Sequence, residues 1–537
     1  MQSNSGRHSA VVVGHKGQFR WQSRSGSPLP NCRSEPLRQA AQCRHGFHPI
    51  DARSKGLPAA GLTRQDFTLF DNGKPQNISF FSVRSEQTPL QPSEPGKVTL
   101  PAKGVTNRTE RDGETMSTAT VLLIDQKNTP QAEQAFAIQR IAKFVQMRRR
   151  KDRIGIYTFG KDHVTHAAQE LTDNSDLLSQ AVASLKARDP SYRSSDTTDM
   201  TEHAARGFTA LELMERGMDT KHALEGIARH LAKMPGRKSV VWITTGFPLV
   251  ARDLGIDFTS DMESAARTLN DANVALYAVD ARGLSGALTG LPGVPNAEFG
   301  GRAQSPNAQW PQQMGARRNT ADPPGLRTMN LLANLTGGQV FYNKSNALEE
   351  SIQKAVEDGE SIYTLGFYPA EETQDGAWHK VKVQVDRRGL QVRYRQNYFA
   401  AGVSVAVPDR PTLEYLFQDP LDATQLELIA EAVSDPERPG FTQIKVNVNL
   451  HDVHLDHENA RNSGRIDVSV HREGSGTVQT KSLKIDIPDD QLAALLEKGI
   501  DTIDSVETIQ GSNGIGVVVQ DRVTGAAGSV RVPMGGK

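Results

Sequence analysis

Val121-Leu122-Leu123-Ile124-Asp125, followed by Gln126-Lys127-Asn128-Thr129-Pro130, is the stretch on which the reading of this chain turns. Four consecutive apolar residues without polar alternation describe a strand buried on both faces. The strand ends at Asp125. Thr129-Pro130 then opens a helix, with Thr as N-cap and Pro in the first turn. Phe136, Ile141, Phe144 and Val145 form the apolar face of that helix.

Working outward, the same alternation repeats. Arg153 to Phe159 reads as a second strand, and Leu177, Leu178, Val182 and Leu185 follow with helical spacing. The polar stretch from about 187 to 208 has little period. A helix is expected over about 219–234, with Ala223, Leu224, Ile227 and Leu231 on one face and Gly236 just past its end. Val240-Val241-Trp242-Ile243 is a further buried strand, residues 260–272 read as a helix, and Val274 to Val279 is a strand ending at Asp280. After the Gly-, Pro-, Asn- and Arg-rich loop 283–326, expected to be disordered, come a helix at 327–336, a strand at Gln339 to Tyr342 and a helix near 346–358. Ile362 to Tyr368 reads as the last strand of this unit. The order predicts an α/β domain, Rossmann-like and doubly wound around a mostly parallel sheet, over 117–400. Ligands of such sheets bind at the carboxyl ends of the strands, where Asp125, Thr245 and Asp280 lie.

The flanks differ. Residues 1–47 carry no helical or strand period and read either as a disordered tail or as a start that is not the natural one. Cys32 and Cys43, the only cysteines, are too few for a disulfide framework; a single bridge between them stays open. Residues 48–85 form a small β unit: Phe67 and Leu69 alternate with Thr68, Asn72-Gly73 is a hairpin turn, and Ile78, Phe80 and Phe81 supply the returning strand. Residues 86–116 read as a linker. Residues 378–399 read as a terminal hairpin turning at Arg387-Arg388-Gly389. From 408 to 537, strands at 441–450, 464–471, 480–487, 505–510, 514–521 and 529–533, with a helical piece at 491–498, predict a C-terminal β domain of the sandwich kind.

Composition narrows the function. The 62 Lys and Arg balance 62 Asp and Glu, which removes the electrostatic argument for a nucleic-acid partner. No apolar run reaches the length of a transmembrane helix. A nucleophile elbow, a nucleotide P-loop and a His-Glu-x-x-His zinc motif are all absent. The run Arg148-Arg149-Arg150-Lys151 ends a helix, where cations complement the dipole. His451, Asp452, His454, Asp456 and His457 form the densest ligand cluster; strand spacing separates them too widely to grip one ion, and a solvated strand or hairpin is the plainer reading.

Several motifs occur together in order. They are Gly61-Leu62-Thr63 with Asp66-Phe67 and Asp71-Asn72-Gly73-Lys74-Pro75-Gln76; Leu122-Leu123-Ile124-Asp125 with Asn128-Thr129-Pro130; and Pro235-Gly236-Arg237-Lys238 with Trp242 and Gly246-Phe247-Pro248. Asn270-Asp271-Ala272-Asn273-Val274 with Val279-Asp280-Ala281-Arg282-Gly283 follows, then Thr336-Gly337-Gly338, Tyr363-Thr364-Leu365-Gly366-Phe367-Tyr368-Pro369 and Val392-Arg393-Tyr394-Arg395. Over about residues 50–400 the set resembles the VWFA-related family known mainly from acidobacteria.

The resemblance implies a von Willebrand factor A-type fold in an exported protein. Together with the place of the candidate residues at the carboxyl ends of the strands, it points to a non-enzymatic protein that recognises a protein or cell-surface partner at the carboxyl edge of the sheet. It also implies a Mg²⁺ site of the adhesion type, built from oxygen ligands at the top of the sheet. Asp125 fills the first position of that site, and Thr129 replaces the second serine. Lys127 stands where the first serine belongs. Met218 aligns with the usual threonine, and Thr220 lies two residues on. Thr245 stands in place of the second aspartate. The candidate ligands are therefore Asp125, Thr129, Thr220 and Thr245. Asp219 reads either as a compensating ligand or as a helix N-cap. A different reading has Lys127 pair with Asp125 and replace the cation. Two other classes remain beside a binding protein: a metal-dependent hydrolase, and a scaffold whose A-type domain has lost its metal.

Overall fold

The computed structural model describes residues 46–54, 57–59, 61–85, 104–108, 119–147, 153–160, 162–187, 202–234, 237–283, 325–342, 347–357, 361–367, 377–400, 410–473, 478–507 and 514–533, with two short strands at 11–15 and 18–22. Residues 284–324 of the expected loop, most of the expected linker and tail, and both cysteines lie outside these residues. Where the tail is described, Val11–His15 pairs antiparallel with Gln18–Gln22, a ladder its sequence had not suggested.

The central layer is a six-stranded sheet. Its strands are β1 (Ala119–Asp125), β2 (Arg153–Phe159), β3 (Thr165–Thr172), β4 (Lys238–Thr244), β5 (Val274–Asp280) and β6 (Val340–Phe341). They lie in the order β3-β2-β1-β4-β5-β6, parallel throughout except for the antiparallel edge strand β3. Every residue of β1, β4 and β5 is buried, as the unbroken apolar runs require. Val121, Leu123, Val240, Trp242 and Leu276 face one side, packed on α3 (Glu202–Leu231), α4 (Thr259–Asp271) and α5 (Leu326–Thr336). Leu122, Ile124, Val241, Ile243 and Tyr277 face the other, packed on α1 (Gln131–Met147), α2 (Ser175–Ser184) and α6 (Ala347–Glu357). β3, half exposed at the edge, offered too weak a pattern to be read beforehand.

Helix α3 runs 30 residues, far beyond the expected 219–234. The Ala-, Leu-, Met- and Glu-rich sequence before 219 favours helix by propensity alone, although it lacks a continuous apolar face. Asp219 therefore sits inside the helix and is not its N-cap. The N-cap position of α1 also differs from expectation: Gln134 N donates to Pro130 O at 3.1 Å, so the helix is entered one residue after Thr129.

The strand at Ser361–Phe367, expected to finish the central sheet, lies elsewhere. It pairs antiparallel with Gly46–Ser54 and Phe80–Ser85, and Leu390–Tyr394 completes that sheet. Facing it is a second sheet in the order 397–399, 378–385, 67–71, 74–76. The predicted hairpin 378–399 is thus split, its two arms serving different sheets. So is the unit 48–85: Asn72 and Gly73, both at positive φ, turn Phe67–Asp71 into Lys74–Gln76, but Phe80–Ser85 crosses to the other sheet. The cause is burial. A lone hairpin cannot cover the apolar face of Phe67 and Leu69; here Tyr363, Leu365, Phe367, Val381 and Val383 close over it.

The C-terminal residues form two further antiparallel sheets over one core. Leu428–Ser434, Phe441–Val448 and Ile500–Glu507 make the first, and Arg461–Arg472, Val478–Pro488, Gly514–Asp521 and Ala527–Pro533 the body of the second. Val105–Thr106, inside the expected linker, adds a strand to the first sheet. It is held by Asn107, whose amide donates to Ala423 O and Leu426 O and accepts from Leu428 N.

This C-terminal part is tied to α3. The Thr424 hydroxyl donates to Arg229 O and His230 O at 3.0 Å, satisfying carbonyls that the end of a helix leaves without partners. Tyr415 Oη donates to His222 O at 2.6 Å. Gly226 leaves room for the contact: a Cβ there would lie 2.5 Å from Asp419 Oδ2 and 2.7 Å from Tyr415 Oη. Gly226→Ala is expected to cost about 1–3 kcal/mol by overpacking, measured by urea unfolding.

The junction also titrates. His230 lies 2.9 Å from Asp422 O and 3.3 Å from Glu170 Oε2. Burial pushes its imidazolium down, but the Glu170 carboxylate together with the Asp422 carbonyl and carboxylate outweighs this and the net shift is upward. Burial pushes Asp422 up to about 6 against the pull of Arg531 and His230. Both groups hold protons more tightly folded than unfolded, so both contributions are lost as pH rises through their folded values. Glu170, shifted downward overall, acts oppositely only at lower pH, where carboxylates protonate. The unfolding midpoint should therefore decline as pH rises from the ordinary aspartate range to about 6, where the folded Asp422 carboxyl ionises, and decline again above the ordinary histidine range as His230 loses its proton; Asp422→Asn should flatten the first decline.

Candidate functional site

Asp125 ends β1 beside Thr244, because the β1–β4 register sets Ile124 opposite Ile243. It is fully buried. Its Oδ1 accepts from Asn128 N at 2.9 Å. Its Oδ2 accepts from Asn128 Nδ2 at 2.9 Å, Trp242 Nε1 at 3.1 Å and Thr244 Oγ1 at 2.8 Å. Burial holds the carboxyl above the ordinary carboxylate range, while these donors pull it back.

The other three predicted ligands gather around the same turn, but around Asn128. Thr220 Oγ1 accepts from Asn128 Nδ2 at 2.9 Å and donates to Arg216 O at 2.8 Å. The Thr245 hydroxyl donates to Asn128 O. Thr129 Oγ1 accepts from Thr245 N at 3.3 Å. Arg216 Nε completes the knot by donating to Asn128 Oδ1 at 2.9 Å.

Lys127 does not pair with Asp125. Its side chain, 1 % exposed, carries the ammonium to Asp219 of α3. Nζ also donates to Glu215 Oε1 at 3.0 Å and lies 3.1 Å from His163 Nδ1, on the β2–β3 turn. His163 Nδ1 is in turn 2.7 Å from Asp219 Oδ2. His163, Glu215 and Asp219 are the one His/Asp/Glu group among the described residues whose ligand atoms converge closely enough for a metal ion, and the Lys127 ammonium sits among them.

This donor set does not fit a hard divalent cation. Such an ion needs several free oxygens and tolerates no permanent cation in its shell. Here the Asp125 oxygens take four hydrogens, and the Thr220 and Thr129 hydroxyl oxygens already accept hydrogens from Asn128 and Thr245. Lys127 and Arg216 bring two positive charges to the turn.

Asp280, at the end of β5, is likewise engaged, by Arg282 at 2.8 Å. The His451–His457 cluster disperses. Asp452 turns inward to Lys233 and accepts from Glu427 N, His454 meets Asp456 at 3.0 Å, and His457 meets Asp489 at 3.1 Å.

Sequence reading missed Asn128, His163, Glu215, Arg216, Trp242 and Thr244 as site residues. Trp242 and Thr244 were accessible: they alternate on the face of β4 that neighbours Asp125. His163 and Glu215 carried no local signal.

Comparison with known proteins adds little. No family model matches the sequence, and no curated protein matches it. Among solved structures, an aerotolerance-related membrane protein from Bacteroides fragilis is 13% identical, over 45% of this chain and 99% of that one, with a TM-score of 0.24. BatB from Bacteroides thetaiotaomicron is 11% identical over 45% and 98%, with a TM-score of 0.23. A von Willebrand factor type A protein from Catenulispora acidiphila is 10% identical over 77% and 65%, with a TM-score of 0.22. Scores this low do not establish a common fold, and the architecture rests on the strand order itself.

Removing the Lys127 charge strands the Asp219 carboxylate in a nearly buried place. Lys127→Met is expected to cost about 3 kcal/mol in urea unfolding. The double variant Lys127→Met/Asp219→Asn should recover most of that loss.

Proposed function

We propose that residues 119–357 form a von Willebrand factor A-type domain of the VWFA-related kind. In this reading it is a non-enzymatic binding module that recognises a protein or cell-surface partner through the carboxyl edge of its sheet without a divalent ion. The observation that carries this is the Lys127 ammonium, buried among Asp219, Glu215 and His163 beside an Asp125 already saturated with hydrogen bonds. The strand order, with its single antiparallel edge and helices on both faces, supports the A-type assignment. The site's position supports binding, since the carboxyl edge is where such sheets meet ligands. An exported location, implied by the sequence resemblance, belongs to the same reading.

Calorimetry with the full chain tests it. Mg²⁺ and Mn²⁺ are expected to give no saturable heat at micromolar concentrations. Saturable binding that disappears in Asp125→Ala would overturn the metal-free reading and return Asp125, Thr129, Thr220 and Thr245 to the role of ligands.

A further inference from the structure

We infer that the rim of this edge receives a polypeptide segment that carries a basic side chain beside apolar ones; the inference rests on the binding role just proposed. It starts from charge. Among the described residues, the buried turn 125–129 and the stretch of α3 above it, 212–219, hold four carboxylates, Asp125, Glu212, Glu215 and Asp219, against two permanent cations, Lys127 and Arg216. Both cations are engaged inward: Lys127 is buried, and Arg216 donates to Asn128. The surplus negative charge lies outward. Glu215 is 46 % exposed, and only its Oε1 receives the Lys127 hydrogen. Glu212, one turn before it, feels burial and the Glu215 charge, which together hold its carboxyl above the ordinary range against the pull of Arg216. A second cation arriving from solvent would relieve both acids.

The apolar element lies on the same helix. Leu211 is 65 % exposed and Met214 50 %. Single exposed apolar side chains are ordinary on a protein surface. These two stand three residues apart, on neighbouring positions of one helix surface, and Glu215 lies one turn from Leu211 on that surface. A flexible methionine and a leucine next to paired acids offer apolar contact and charge complementarity together. An acidic partner, the kind a bound divalent ion would attract, would meet repulsion here.

The test is fluorescence anisotropy with the full chain at physiological salt. The probes are a labelled peptide of alternating Lys and Leu and a counterpart of the same length in which Glu replaces Lys. The Lys/Leu peptide is expected to bind saturably and the Glu/Leu peptide not to bind. Glu212→Gln/Glu215→Gln should weaken binding about tenfold and reduce its salt dependence. Leu211→Ser/Met214→Ser, confined to exposed positions, should weaken it without altering the salt dependence. Absence of Lys/Leu binding, preference for the Glu/Leu peptide, or binding unchanged in both double variants would overturn the inference. None of these outcomes bears on the metal-free reading, which falls separately if binding of either peptide requires Mg²⁺ and is abolished by EDTA.

Discussion

A buried ammonium governs the upper face of this protein. A charge removed from water is tolerated only with opposite charge and hydrogen bonds around it. Lys127 meets that condition by drawing together three elements: the turn after β1, the β2–β3 turn through His163, and the middle of α3 through Glu215 and Asp219. Asn128, next in sequence, does the same with an uncharged amide, joining Asp125, Thr220, Thr245 and Arg216. Two consecutive residues thus fix where α3 lies against the sheet, and hence which side chains form the rim.

Much of the α/β architecture was legible in the sequence, because strands buried on both faces write continuous apolar runs. Val121–Ile124 and Val240–Ile243 needed no context to be read. The reach of α3 was not legible. Before Asp219 the helix stands on propensity, and a search for a continuous apolar face passes over it. The β layers were misread for a related reason. Alternation in Phe67–Leu69 and Val381–Val385 announces a half-buried strand but does not name the partner strand. Those partners lie some three hundred residues apart in sequence, as the pairing of Val383 with Leu69 shows.

The site was half legible. Asp125, Thr129, Thr220 and Thr245 do converge, yet the atoms they offer are consumed by one another and by Asn128. Sequence reports which oxygens are near; it does not report which are already satisfied. Lys127 is visible as an intruder, and one reading pairs it with the nearest acid in sequence, Asp125. The structure gives it instead to Asp219, ninety-two residues away.

Helix α3 has one more consequence. Asp219, clasped by Lys127, and Gly226, pressed against Asp419, are seven residues apart on the same rod, about 10 Å along its axis. Thr424 grips its last carbonyls. Mechanically the rim and the C-terminal sheets are in series: tension applied at the rim runs down a hydrogen-bonded shaft and arrives at the junction as shear. A load on the rim is therefore shared between the central sheet, which the chain enters from α3 at Lys238, and the seam around Asp419 and Thr424.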